Sequence, residues 1–548
     1  MGFWLQLLLL VATHATIPPL APTFDVRAPP PITNCPYTPD YNSLPLSLPD
    51  PLPDYLQSNL STFSTKIDSS VNTTNLPSLV AAISYNGKII WSHGAGETKK
   101  GNGIVPDENT RYRIGSVSKV FTVAQLYLLA EDSKSGISLD DTFSAASNSH
   151  VSFVNKFDNQ QPQQPQQPQQ PQQPQQPQQP TLRQMASQRA GLPREAPCDL
   201  ANILFCNRTN EDMIRRINGI TMLISRPGAL PSYSNLAFSL LGRELAPAGT
   251  TFEKWIQNNI LNPLRLTETR FGLDPFTDYQ AAMGYRANGM AVGNYDLGWN
   301  IPCGGMSSTV HDLNLMSQAI MGLGETSGSP LVKSQGLRDE MISPVYMNAG
   351  GTTLFGTPWE MKYHKETGYL VRRKGGNVPG YTALMAFVPE MKLSVSVLWS
   401  GPADEFSASE QAFDLLLPPM NDMFKEIEKA TESSQQPQNQ SAYIGVFQCS
   451  NITGPAGAAQ IFVYENKLLI KVSLLGVTMY LKLPEWCAGQ NEKTVPLTLQ
   501  FWVQRTIRPC LNFELLGLLN EYVQFNDDLS VFSLPGSVPG FIWTRQKL

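Results

Sequence analysis

Ser116 and Lys119 stand three residues apart in Arg113-Ile114-Gly115-Ser116-Val117-Ser118-Lys119-Val120-Phe121-Thr122, a stretch that reads as a loop handing over to the first turn of a helix. Residues three apart on a helix share a face, so the lysine amine can reach the serine hydroxyl. A serine hydroxyl attacks a carbonyl carbon only when a nearby base takes its proton, and S-x-x-K supplies an amine for that purpose. A free lysine is protonated at neutral pH, so such a site needs burial or a second cation to change its state. The alternative is a surface helix with an incidental serine and lysine. Reading back three residues from every lysine of the chain finds a serine only at Ser116.

Two further stretches carry residues that a serine nucleophile can use. Pro227 to Phe238 places Tyr233-Ser234-Asn235 where turn residues give way to an apolar helix. A phenol there can shuttle protons, and an amide can orient substrate and the lysine. A core tyrosine is the plainer reading, and Tyr346-Met347-Asn348 matches the same Tyr-x-Asn pattern. The third stretch, Val371 to Val388, reads as a strand, a glycine-lined turn holding Lys374-Gly375-Gly376-Asn377, and a more apolar strand. Lys374 is the candidate second cation. Its glycines let a substrate lie against the backbone, where an N–H can donate to a developing oxyanion. Taken alone, the stretch reads equally as an ordinary basic hairpin.

The elements that must hold these residues are also legible. Leu79–Tyr85 and Lys88–Ser92 are strand-like runs across Asn86-Gly87, a strong hairpin signal. Val120, Phe121, Ala124, Leu128 and Leu129 give the Ser116 helix an apolar face that should end before Gly136. Thr181–Ser187 reads as a capped helix.

In order, Ser116-Val117-Ser118-Lys119, Tyr233-Ser234-Asn235 and Lys374-Gly375-Gly376 resemble the serine β-lactamase and penicillin-binding protein superfamily, in its class C, esterase and D-aminopeptidase branch. The resemblance runs from about Pro77 to Met420 and takes in Gly136–Asp141, Asn262-Pro263-Leu264 and Gly304–Thr309. It implies an α/β (α+β) fold: an antiparallel sheet with helices on both faces, and the site between that layer and an all-helical region. It implies that Ser116 is the acylated nucleophile and that Lys119 and Tyr233 share acid–base work. Asn235 would position substrate. Lys374 would bind a substrate carboxylate and hold down the tyrosine's pKa, beside Gly376. The N–H groups of Ser116 and Asn377 would form the oxyanion hole. The family's third motif usually has Thr, Ser or Gly and then Gly after its Lys or His, and Gly375 lacks a hydroxyl for a substrate carboxylate.

Around this region, 78–424, the chain carries extensions. The apolar run Phe3–Ala12, broken by Gln6 and followed by Thr13-His14-Ala15, reads as a secretory signal peptide over 1–15, with an uncleaved membrane anchor as the alternative. Residues 16–77 read as a Pro-rich extended lead-in. Secretion agrees with the N-glycosylation patterns at Asn59, Asn72, Asn207, Asn439 and Asn451. Residues 160–180 repeat Gln-Gln-Pro, which forbids helix and predicts a polyproline-like insertion projecting from the surface. A linker is expected over 425–440 and a small all-β barrel or sandwich over 441–548.

The seven cysteines form no C-x-x-C; Cys198 and Cys206 flank a short loop and can bridge, and one pair among Cys449, Cys487 and Cys510 is expected. A net charge of −5 without a basic block argues against nucleic acid. The chain has no H-E-x-x-H, no G-x-S-x-G and no phosphate-cradling glycine loop, and no cofactor is called for. The expected activity is that of a secreted serine hydrolase acting through a Ser116 acyl-enzyme on a small peptide, amide or ester. The rival is a binding or signalling protein that kept the fold and lost turnover.

Overall fold

The computed structural model describes residues 44–157 apart from 75, then 178–198, 205–323, 330–435 and, with gaps, 441–546. The signal-like segment, Asn439, Asn451, Cys487, Cys510 and all of the Gln-Gln-Pro run but 178–180 lie outside them. The chain divides into two compact units, Thr38–Asp422 and Met1–Tyr37 with Met423–Leu548.

The first unit is built on an eight-stranded antiparallel sheet. Its strands are β1 (Ser78–Tyr85), β2 (Lys88–Gly96), β3 (Tyr346–Met347), β4 (Leu354–Phe355), β5 (Glu360–Tyr363), β6 (Leu370–Val378), β7 (Tyr381–Val388) and β8 (Leu393–Ser400). They lie in the order β2-β1-β8-β7-β6-β5-β4-β3. Asn86 and Gly87 both take positive φ, 41° and 96°, as the tight turn between β1 and β2 requires. Strands β1, β7 and β8 are buried along their whole length. β1 and β7 are largely apolar because both faces are covered, whereas β8 alternates with buried serines that find hydrogen-bond partners, as Ser394 does in Asn314.

One face meets the helical region. Val80 and Ala82 of β1 share a core with Val120, Phe121 and Ala124 of helix α2 (Ser118–Glu131) and with Leu313, Met316 and Ile320. The other face carries α1 (Asp54–Thr74), whose Phe63 ring sits 5.2 Å from that of Trp91 on β2. Helix α1 corrects the expected extended lead-in. Leu56, Leu60, Phe63, Ile67 and Val71 form a buried stripe at helical spacing. The stripe is hidden in the sequence because its outer face is Ser, Thr and Asn. Those hydroxyls bond back to the carbonyl four residues earlier, as Thr62 does to Ser58 and Ser70 to Lys66. Asn59, one of the expected glycan acceptors, is half-buried and donates its amide to the Leu415 carbonyl at 2.7 Å, whereas Asn72 and Asn207 are exposed.

Helix α3 (Leu182–Ala186) starts on a capping box between Thr181 and Gln184, and α4 (Asn235–Glu244) on Ser234, whose hydroxyl accepts from the Ala237 N–H. Between them a disulfide joins Cys198 to Cys206, with Cα atoms 5.4 Å apart. Helix α5 (Glu405–Gln435) runs through the first part of the expected linker. Pro418 and Pro419 lie inside it, and the helix-forming run Met423-Phe424-Lys425-Glu426-Ile427 carries it onward.

In the second unit nine short strands form one antiparallel sheet. Four adjacent members are Gly445–Cys449, Ala458–Tyr464, Lys467–Leu474 and Val477–Lys482. Cys449 is buried and free. No helix of the described residues is long and apolar enough to cross a membrane.

Candidate active site

Gly115, at φ 49°, turns the chain into a single 3₁₀ turn, Gly115–Val117, that presents Ser116 at the start of α2. The turn is anchored from behind. Tyr112 and Arg113 pair with Ser308 and Ser307, and the Met306 N–H donates to Ser118 Oγ at 3.0 Å. One residue into α2, the Lys119 side chain is fully buried and donates to three acceptors: Ser116 Oγ at 2.9 Å, Asn235 Oδ1 at 2.8 Å and the Cys303 carbonyl at 2.6 Å. Three acceptors match the three protons of an ammonium.

Tyr233 and Asn235 flank the N-cap of α4, and the loop Gly191–Glu195 fixes them. Ser234 Oγ donates to the Pro193 carbonyl at 2.7 Å, and the Asn235 N–H to the Arg194 carbonyl at 2.6 Å. Tyr233 Oη donates to Ser116 Oγ at 2.5 Å. The decoy Tyr346-Met347-Asn348 falls on β3, at the far edge of the sheet, where Asn348 caps a turn. The lysine, tyrosine and asparagine thus converge on one serine.

Lys374 comes from β6. Its glycines lie in the strand itself, not in the turn, which is Pro379-Gly380. Strand β5 pairs with Leu370–Arg373 only, so from Lys374 onward that edge of β6 has no strand beside it among the described residues. Gly376 lies against the serine turn: a Cβ there would sit 2.1 Å from the Ile114 carbonyl oxygen and 2.9 Å from the Ser116 nitrogen. A Cβ on Gly115 would in turn sit 2.9 Å from the Asn377 nitrogen. Close approach of two backbones, possible only for glycine, sets the Asn377 nitrogen against the turn that carries Ser116 and its N–H. Two backbone donors so placed can hold an oxyanion.

Lys374 departs from expectation in one respect. Its ammonium donates to both Glu360 oxygens, at 2.8 and 3.1 Å, and to the Gly375 carbonyl at 2.9 Å, and the residue is 1% exposed. A lysine so enclosed has no proton left for a substrate carboxylate. Burial works against its charge, but Glu360 and then Tyr233 hold its pKa above the ordinary lysine value. Its charge still reaches Tyr233, whose ring centroid lies 5.5 Å from Lys374 Nζ and 4.9 Å from Lys119 Nζ. Burial would raise the Tyr233 phenol; the charges of Lys119 and Lys374, with hydrogen bonds from Lys119 and Ser116, outweigh it and lower the pKa below the usual phenol value. The arrangement can therefore take a proton from Ser116 at Tyr233 and return it.

Three carboxylates complete the site and had no signal in the sequence. Glu195 accepts from Asn235 Nδ2 with both oxygens, at 3.0 Å each. Glu360 stands opposite Arg373 in the β5–β6 register, a relation that spacing along the chain does not show. Glu405, at the start of α5, accepts from Asn377 Nδ2 at 2.8 Å. Among the described residues no group of three or more His, Cys, Asp or Glu side chains is placed to hold a metal ion.

The chain is similar to known proteins. The beta-lactamase family model matches residues 63–417. The human beta-lactamase-like 1 protein is 30% identical over 443 residues, 78% of this chain and 81% of that one. Beta-lactamase-like protein 2 of Dictyostelium discoideum is 28% identical over 64% of this chain and 61% of its own. Among solved structures, a penicillin-binding protein homologue from Pyrococcus abyssi superposes with a TM-score of 0.53 at 17% identity, over 89% of this chain and all of that one. A beta-lactamase/D-alanine carboxypeptidase from Yersinia pestis gives 0.52 at 21% identity, over 66% of this chain and 97% of its own. Likeness at these identities speaks for the fold. Together with the family match over most of the chain, it makes this protein a member of the beta-lactamase family of serine hydrolase-type folds.

Proposed function

We propose that this protein is a secreted serine hydrolase that acts through an acyl-enzyme on Ser116, with a small peptide, amide or ester as substrate. The observation that carries the reading is the pair of contacts on Ser116 Oγ, 2.9 Å from Lys119 Nζ and 2.5 Å from Tyr233 Oη. Ser116 Oγ attacks the carbonyl carbon as its proton passes to the Tyr233 phenolate, with Lys119 and Lys374 stabilising the ionised phenol. The tetrahedral oxyanion lies at the Ser116 and Asn377 N–H groups. As the intermediate collapses, the bond to the leaving amine or alcohol breaks and Tyr233 gives that group its proton. Water then adds to the acyl-enzyme, losing a proton to Tyr233, and the acid leaves as the proton returns to Ser116 Oγ. Asn235 holds Lys119 in place and faces the bound acyl group. Asn72 and Asn207 are the acceptors we propose for glycans, consistent with secretion.

The test is intact mass of the purified full chain after a fluorophosphonate, which replaces fluoride with Ser116 Oγ at phosphorus. One adduct on the wild-type protein, absent in Ser116→Ala, is expected. A folded protein that takes no adduct would refute the reading and leave the binding-protein alternative.

A further inference from the structure

Gly375 leaves a space that another residue fills. A Cβ at that position would lie 2.6 Å from Glu405 Oε1 and 2.7 Å from Glu405 Cγ. The Glu405 carboxylate therefore occupies the volume a side chain at 375 would take, on the open edge of β6 beside Asn377, which donates to it at 2.8 Å. Thr382 Oγ1, 2.9 Å from Asn377 Oδ1, steadies that amide. Asn377 is exposed and Glu405 half-buried, so the pair faces whatever binds along the edge.

The carboxylates around the site differ in their contact partners, although the charge of Glu405 also helps to keep Lys374 protonated. Lys374 is matched by Glu360 at 2.8 Å and Glu195 by Arg194 at 3.2 Å. Glu405 forms no ion pair with any lysine, arginine or histidine among the described residues, and its one side-chain donor is a neutral amide. A carboxylate arriving over Gly375 meets a like charge, while the cation that would have received it is enclosed. An ammonium group arriving there meets an acceptor held in place.

We infer that Glu405 selects substrates carrying an ammonium group on the part that lies over Gly375 and Asn377, and turns away those carrying a carboxylate there. This rests on the acyl-enzyme reading above: Ser116 acts on the carbonyl, and Glu405 reads the charge beside it. The substrate class is an amino-bearing amide or ester.

The inference is tested with three matched fluorophosphonates ending in ammonium, methyl or carboxylate, by their labelling rates on the full-length protein. The expected order is ammonium, methyl, carboxylate, with about a tenfold span between the ends at low salt and a smaller one at high salt. Glu405→Gln keeps the bond to Asn377 and should bring the ratio close to one; Glu405→Lys should invert it. Labelling by the methyl probe with the same charge ratio in wild type and Glu405→Gln would overturn this inference and leave the hydrolase reading standing. A ratio that collapses in Glu195→Gln but not in Glu405→Gln would also overturn it. No labelling of Ser116 by the methyl probe would remove the hydrolase reading and the inference with it.

Discussion

Gly376→Ala is the substitution that most directly probes how the site is assembled. The added methyl would lie 2.1 Å from the Ile114 carbonyl oxygen, 2.9 Å from the Ser116 nitrogen and 3.0 Å from the Val117 nitrogen. All three are backbone atoms, so no side chain can swing away. Relief requires β6 and the serine turn to part by about 1 Å, roughly what brings the closest contact to a tolerable carbon–oxygen distance. That movement separates the Ser116 and Asn377 N–H groups and draws Lys374 from Tyr233. A misplacement of about 1 Å among reacting groups lowers rates by about a hundredfold. Overpacking of this kind costs about 1–3 kcal/mol of stability, so the variant should still fold with a modestly lower melting temperature. The assay is the second-order rate of fluorophosphonate labelling, beside a thermal melt and a circular dichroism spectrum. Labelling of a folded Gly376→Ala within threefold of wild type would refute the claim that the two backbones meet only because residue 376 lacks a side chain.

Lys374→Met should raise the pKa of Tyr233, because the phenolate loses one of two stabilising charges. The low-pH limb of the labelling profile then moves to higher pH, and labelling near neutral pH falls at least about tenfold. Since the substitution also leaves Glu360 without its partner, Lys374→Met/Glu360→Gln should show the same direction of shift; a profile unchanged in both variants would contradict the electrostatic account. Phe63→Ala, which removes a buried ring packed at a tilt against Trp91, should cost about 3 kcal/mol in a denaturant melt. A cost under about 0.5 kcal/mol, the range of ordinary surface changes, would mean that α1 is not packed as described.

The difference between what the sequence reveals and what it conceals follows from the range of each interaction. Ser116 with Lys119 and Tyr233 with Asn235 are legible because each pair is held by one helix start, where spacing along the chain equals spacing in space. The Asn86-Gly87 turn and the Thr181–Gln184 capping box are legible for the same reason. Glu360, Glu405 and Glu195 are silent because each meets its partner across a strand register, a helix docking or a loop. Lys374 illustrates both sides: its rank as second cation can be read from the glycines beside it, whereas its enclosure by Glu360 depends on β5 pairing with Arg373. Helix α1 was concealed differently, by Ser and Thr residues whose hydroxyls find acceptors within the helix, so that a polar composition conceals an ordered, amphipathic element.

The two lysines of the site are not equivalent, and the difference identifies the group whose charge state can change. Lys374 is held by a carboxylate on the neighbouring strand, and giving up its proton would leave Glu360 as an uncompensated charge that is largely buried. Such a separation costs several kcal/mol, so Lys374 stays a cation through any reaction at Ser116. Lys119 has no carboxylate among its acceptors, only a hydroxyl, an amide oxygen and a carbonyl. As an ammonium it satisfies all three. Between the two sits a half-buried phenol adjacent to both charges and 2.5 Å from the serine oxygen. Its ionised form gains from each lysine without requiring either to change. Tyr233 is thus the group at which this site can accept a proton with the least rearrangement of its neighbours.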